Sequence, residues 1–183
     1  TLVIPISQSG ETMDTLMAVR HAKAAGGRVL AICNTNSSTI PRESDAVLYT
    51  HAGPEIAVAS TKALLTQIIA VYLIGLHLGQ VNGSLKDSEV RDLYKELLEL
   101  PGKIEQILET VEPLRELTRT FAQNNTVLFL GRNIGYPVAL EGALKLKELA
   151  YIHAEGFAGG ELKHGPIALI DQGTPVIAIL PAG

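Results

Sequence analysis

The chain has 183 residues, with 15 Lys and Arg against 19 Asp and Glu, giving a formal charge of −4. That balance excludes the basic footprint of a nucleic-acid binder, and 46% apolar residues exclude a disordered or collagen-like chain. Five Tyr, three Phe and no Trp leave the core to Ala, Val, Ile and Leu, while the single cysteine, Cys33, allows neither an internal disulfide nor a thiol-rich metal site.

A lone thiol fits a reducing, cytoplasmic compartment. Thr1 and the apolar run behind it read as a strand with no targeting segment ahead, and the last strand-like run stops at Pro181-Ala182-Gly183. The expectation is a piece of a longer chain.

Leu2 to Ile6 reads as a strand, Ser7 to Gly10 as a tight turn, and Thr12 to Lys23 as a helix with Leu16, Val19 and Ala22 along one stripe. Gly26-Gly27 ends that helix. Val29 to Cys33 and Ala46 to Tyr49 read as further strands around the polar turn Asn34 to Ser38. Strands alternating with helices predict an α/β fold, a parallel sheet flanked by helices. Glu55 to Leu78 reads as one long apolar helix, close to membrane-span length but interrupted by Lys62, Thr66, Gln67 and His77, hence a buried helix and no membrane partner. Lys86 to Gln123 is charge-rich and helical in spacing, interrupted by Pro101-Gly102 and Pro113. Thr126 to Leu130, a turn at Gly131-Arg132-Asn133, a helix from Pro137 to Tyr151, a glycine-bearing loop and a strand from Pro175 to Leu180 repeat the plan of the first half. The organisation is therefore two incomplete α/β units, 1–85 and 124–183, joined by a helical connector, 86–123.

Four segments carry candidate chemistry. In Ser7-Gln8-Ser9-Gly10-Glu11-Thr12, hydroxyls crowd the point where a strand hands over to a helix. Unpaired N–H groups and the dipole there suit a phosphate, while Ser9 or Thr12 as a plain helix cap is the competing reading. The corresponding turn of the second half carries no hydroxyl, so the anion is expected in the first half only. Glu141, Lys145 and Glu148, at i, i+4 and i+7, share one helical face. That face is either an exposed salt-bridge stripe or a partly desolvated proton-transfer site. His164 sits in the glycine-bounded loop Gly159 to Pro166, where a group near pKa 6.5 could exchange protons, or is an ordinary surface residue. Ser60 and Thr61 either line a polar pocket or bond back within their helix. Cys33 reads as core.

Taken together, SQSGET (Ser7–Thr12), EIAVASTK (Glu55–Lys62), EGALKLKE (Glu141–Glu148) and ELKHGP (Glu161–Pro166) resemble the isomerase part of the glucosamine-6-phosphate synthase family, built from two sugar isomerase (SIS) units of flavodoxin-like fold. The resemblance implies that Ser7, Gln8, Ser9 and Thr12 hold the phosphate of fructose 6-phosphate or glucosamine 6-phosphate, and that Val58 and Ser60 line the sugar. Lys145 then stands at the sugar, Glu148 shuttles the proton between C1 and C2, and His164 assists ring opening in the neighbouring subunit of a homodimer. No cofactor or metal is implied. A glutaminase domain of the same parent chain would supply ammonia for amino-sugar biosynthesis. That domain is absent from the chain, as are the family's opening strand and carboxyl-terminal tail, so weak binding and no complete turnover are expected of this piece alone. A phosphosugar deaminase or isomerase, and a non-catalytic phosphosugar-sensing module, are the alternatives. The sensing module would need neither Glu148 nor His164.

Overall fold

The computed structural model describes the backbone of residues 1–181, and every side chain among them except those of residues 120 and 121. These residues form two compact units, 1–97 and from 98 onward.

The first unit contains β1 (Leu2–Val3), β2 (Ile6–Ser7), α1 (Met13–Ala24), β3 (Arg28–Cys33), α2 (Thr39–Glu43), β4 (Ala46–Tyr49) and α3 (Lys62–Val81). All its strand pairings are parallel. β1 and β2 pair with β3 at the same offset, so they form one line interrupted at Ile4-Pro5, where proline has no N–H to donate. The Pro5 carbonyl still accepts from Ile32 N–H at 2.9 Å. Leu16 and Val19 of α1 bury against Val29, Ala31 and Ile40, with Ala22 and Val47 at the margin, which is the stripe anticipated from spacing. Each fully buried Val or Ile contributes about 1.5–3 kcal/mol. The short helix α2 was not anticipated; it is pinned by buried Ile40 and Pro41.

Two expectations for α3 are corrected. The helix begins at Lys62 and not at Glu55, because the Glu55 carboxylate accepts from Thr61 N–H and Ala63 N–H, each at 3.1 Å, and so caps the helix from upstream. It is also buried on one face only. Ala63, Ala70, Leu76 and Gly79 pack inward, whereas Leu65, Ile68, Val71, Tyr72 and Leu78 are 40–56% exposed. By length and composition alone α3 could cross a membrane.

Between α3 and the second sheet lie α4 (Asp87–Leu98), α5 (Leu100–Glu109) and α6 (Val111–Phe121). The breaks fall at Glu99 and Thr110, just ahead of the prolines. Pro101 and Pro113 sit in the first turns of α5 and α6, where a missing N–H has no helical partner to lose.

The second unit continues with β5 (Thr126–Gly131), α7 (Gly135–Ala150), β6 (His153–Ala158) and β7 (Val176–Ile179), in the parallel order β6-β5-β7. Its core is Val127, Phe129, Ala139, Ala143 and Ala154. The segment expected to be a glycine-bearing loop is in part strand β6, paired with β5 over six residues from Thr126↔His153 to Gly131↔Ala158. Past it lie 3-10 turns at Gly159–His164 and Pro166–Leu169.

Within the first sheet Ser7 is in register with Cys33, and Cys33 with Tyr49. Within the second, Gly131 is in register with Ala158 and Ile179. Each set of loops leaves one carboxyl edge, the place where ligands of open parallel sheets bind.

Candidate functional site

At the carboxyl edge of the first sheet, Ser7 is buried and its Oγ accepts from Gly10 N–H at 3.0 Å and lies 3.0 Å from Thr12 Oγ1. The Gln8 carbonyl accepts from the N–H groups of Asn34 and Thr35 at 3.3 and 3.2 Å and from the Thr35 hydroxyl at 3.2 Å. Loop 7–12 is thereby tied to the turn that follows β3. Gly10 has φ +68°, and a Cβ there would fall 1.9 Å from Ser38 Oγ and 2.9 Å from Cys33 Sγ, so only glycine fits. The Glu11 carboxylate accepts from Thr39 N–H at 2.7 Å, and hydrogen bonding to Thr39, through its side chain first and then this N–H, holds the Glu11 pKa below the usual carboxylate value.

The plain-cap reading of these hydroxyls is not realised. Thr12 is the N-cap of α1, yet its side chain makes no capping bond and turns to Ser7. Ser9 is exposed, and its Oγ accepts from Glu11 N–H at 3.2 Å, ahead of the helix. The first-turn amides of α1 therefore carry no side-chain cap, and Ser9 and Thr12 border them. A phosphate here would gain N–H donors, the dipole and two hydroxyls without a cationic side chain.

From the same edge the chain leaves β4 and runs to α3, carrying Val58 and Ser60. Val58 is 95% exposed, Ser60 is half-buried, and Ala59 between them is fully buried. Thr61 does not bond back within the helix; its hydroxyl donates to Glu55 at 3.0 Å. Asn34 and Glu55, to which sequence reasoning assigned no role, are the side chains bonded to this stretch. Asn34 Oδ1 accepts from Thr50 Oγ1 at 3.1 Å and Ala52 N–H at 2.9 Å, and its Nδ2 donates to the Gly53 carbonyl at 2.8 Å.

In the second unit, Lys145 Nζ lies 2.6 Å from Glu148 Oε2 and 3.3 Å from Glu141 Oε1. The three side chains are only 21–32% exposed, so this is a half-buried ion cluster and not a fully solvated stripe. Burial pulls the Lys145 pKa down, but hydrogen bonds to Glu148 and Glu141 outweigh it and leave the ammonium above its usual value. His164 closes the 3-10 turn Gly159–His164 and is exposed. The structure does not place it beside Glu148 along the chain. Glu148 is in the last turn of α7, which leads into the start of β6, whereas His164 follows the end of β6. At the carboxyl edge of this sheet an open cleft of about 330 Å³ is lined by Gly131, Arg132, Gly159 and Ile179 among others, with no hydroxyl side chain in its wall. The tight handover to α7 needs Gly131, since a Cβ there would fall 2.0 Å from the Gly135 carbonyl oxygen. Cys33 is buried, as expected of a core residue.

Two parallel sheets with flanking helices, and hydroxyl-rich or charged loops at their edges, agree with the SIS domain family, whose model matches residues 1–76 and 120–183. The chain belongs to that family. It is 67% identical over 182 residues to glutamine–fructose-6-phosphate aminotransferase (isomerizing) of Streptomyces coelicolor, a match spanning the whole chain but 30% of that relative. The enzyme of the same name from Mycobacterium tuberculosis is 64% identical, with 29% of its length covered. Among solved structures, the C-terminal domain of glucosamine-fructose-6-phosphate aminotransferase from Francisella tularensis superposes with a TM-score of 0.96 at 42% identity, covering all of this chain and 52% of that one. Glucosamine-6-phosphate deaminase from Thermotoga maritima superposes at 0.69 with 25% identity, over 97% of this chain and 51% of that one. The chain thus spans about 30% of the curated relatives it matches.

Proposed function

We propose that this chain is the greater part of the sugar-phosphate isomerase of a glutamine–fructose-6-phosphate aminotransferase, which converts fructose 6-phosphate and glutamine-derived ammonia to glucosamine 6-phosphate for amino-sugar synthesis. The observation that carries the reading is a match at 67% identity along the whole of this chain, over 30% of a protein of that name. The uncapped start of α1, bordered by Ser9 and Thr12, supports it physically.

In this reading Ser7, Gln8, Ser9 and Thr12 form the phosphate loop, although the Ser7 hydroxyl is already bonded within the loop and shapes it. Val58 and Ser60 line the sugar. The phosphate is remote from the reacting carbons, so its binding energy serves orientation. His164 exchanges the proton needed to open the hemiketal, and Glu148 takes a proton from C1 of the C2 imine and delivers it to C2 of the resulting enolamine as the C1 hydroxyl gives up its proton to become the aldehyde, with Lys145 holding the carboxylate in place. Glu148 precedes the start of β6 and His164 follows its end, and the reading has them serving different sites, with His164 reaching a second copy in a homodimer. The protein works in the cytoplasm beside a glutaminase domain of its parent chain, with no cofactor, nucleic acid or membrane partner.

The test is the full-length protein carrying Glu148→Gln. Glucosamine 6-phosphate formation should be abolished while fructose 6-phosphate still binds. Turnover at the unsubstituted rate would remove Glu148 from its assigned role.

A further inference from the structure

The stretch from Thr50 to Thr61 has no regular secondary structure, yet it carries the two residues assigned to the sugar. Unsupported, such a stretch would sample many conformations, and a ligand would have to meet the entropy of ordering it. Two side chains supply the support. Asn34, at the end of β3, satisfies Thr50, Ala52 and Gly53 through three hydrogen bonds and fixes the start of the stretch. Glu55 fixes its end: Oε2 accepts from the N–H groups of Thr61 and Ala63, and Oε1 accepts from the Thr61 hydroxyl.

Between the clamps the chain forms a short bow, residues 56–60. Its middle is seated by the fully buried Ala59, while Ile56 and Val58 stand 93% and 95% exposed. Two large apolar side chains held out on a fixed loop beside a sheet's carboxyl edge are arranged to meet something. Thr61 is the N-cap of α3, but its side chain does not cap; Glu55 replaces it, placing a full negative charge at the positive end of a 20-residue helix. Helix start and bow are therefore held by one carboxylate.

We infer that Glu55 is a positioning residue for sugar binding: it closes the 56–60 bow onto the start of α3 and so sets where Val58 and Ser60 meet the substrate. This rests on the reading that Val58 and Ser60 line the sugar. Gln at this position keeps one oxygen for the two backbone N–H groups and loses the acceptor for the Thr61 hydroxyl, so it should hold the bow partly. Ala leaves nothing.

The experiment measures fructose 6-phosphate kinetics in the full-length protein with Glu55→Ala, Glu55→Gln, Ser60→Ala and the pair Glu55→Ala/Ser60→Ala. Glu55→Ala should raise KM about tenfold, equivalent to losing about 1.4 kcal/mol of binding, with a smaller fall in kcat, and Glu55→Gln should fall between it and the parent. In the Ser60→Ala background the cost of Glu55→Ala should shrink, because both act through one loop. A role in stability alone would lower the melting temperature and leave KM and the cycle additive. If Ser60→Ala raises KM but neither Glu55 variant does, the clamp is refuted and the sugar-site reading survives. If Ser60→Ala leaves KM unchanged, the sugar-site reading fails and takes the clamp with it. Should Glu55→Ala not fold, Glu55→Gln decides, with an unchanged KM counting against the clamp.

Discussion

Lys145 bridges Glu148 and Glu141, at 2.6 and 3.3 Å, across two turns of α7. The cluster fixes the carboxylate proposed as the proton carrier and ties stability to the charge of one lysine. Its folded pKa is raised above the ordinary lysine value of 10.5, so the stabilisation is complete below that value and is lost as pH rises through the folded pKa. Unfolding midpoints measured from pH 8 to 11.5 should fall at the alkaline end, and Lys145→Met should lower the midpoint at pH 8 and flatten that dependence. A variant with the same alkaline slope as the parent would show the bridge to be inert.

Ser9→Ala combined with Thr12→Ala should weaken sugar-phosphate binding by roughly 1–3 kcal/mol, the range for lost hydrogen bonds to a charged group. Calorimetry on the full-length protein reads this directly. The fold should hold, because neither hydroxyl caps α1. Unchanged affinity would move the phosphate elsewhere.

Gly10→Ala should destabilise the first unit by about 1–3 kcal/mol, through a left-handed φ of +68° and a clash with buried Ser38. Ser38 is held by its own bond to the Thr35 carbonyl at 2.9 Å, so it cannot simply swing away. Denaturant unfolding measures the cost, and phosphate affinity should fall with it. An Ala variant of parent stability would mean the loop relaxes freely.

Tyr151 follows the last residue of α7 with φ +57° and is 91% exposed, so it adopts left-handed backbone and buries little in return. Tyr151→Gly should stabilise the protein by roughly 0.5–1.5 kcal/mol, seen as a higher melting temperature. A loss of stability would reveal a packing role for the ring.

Legibility in the sequence followed the range of the causes. Helix α1 was readable because Leu16, Val19 and Ala22 recur at helical spacing between a polar turn and Gly26-Gly27. The Glu141–Lys145–Glu148 cluster was readable because spacing alone puts the three on one face. Strand β6 was not: Gly156, Ala154 and Glu155 are poor strand formers, and the segment is a strand because β5 pairs with it along its whole length. The start of α3 was missed because its cap comes from Glu55, six residues upstream of Thr61. Nor does any period reveal that Thr12 turns to Ser7 and leaves the amides of α1 uncapped.

The central claim is tested most directly by a crystal structure of the full-length protein with fructose 6-phosphate. The account predicts phosphate oxygens accepting hydrogen bonds from the Ser9 and Thr12 hydroxyls and the first-turn amides of α1, with Glu148 set over C1 and C2. A phosphate bound away from this loop, with Ser9 and Thr12 making only protein or solvent contacts, would contradict it.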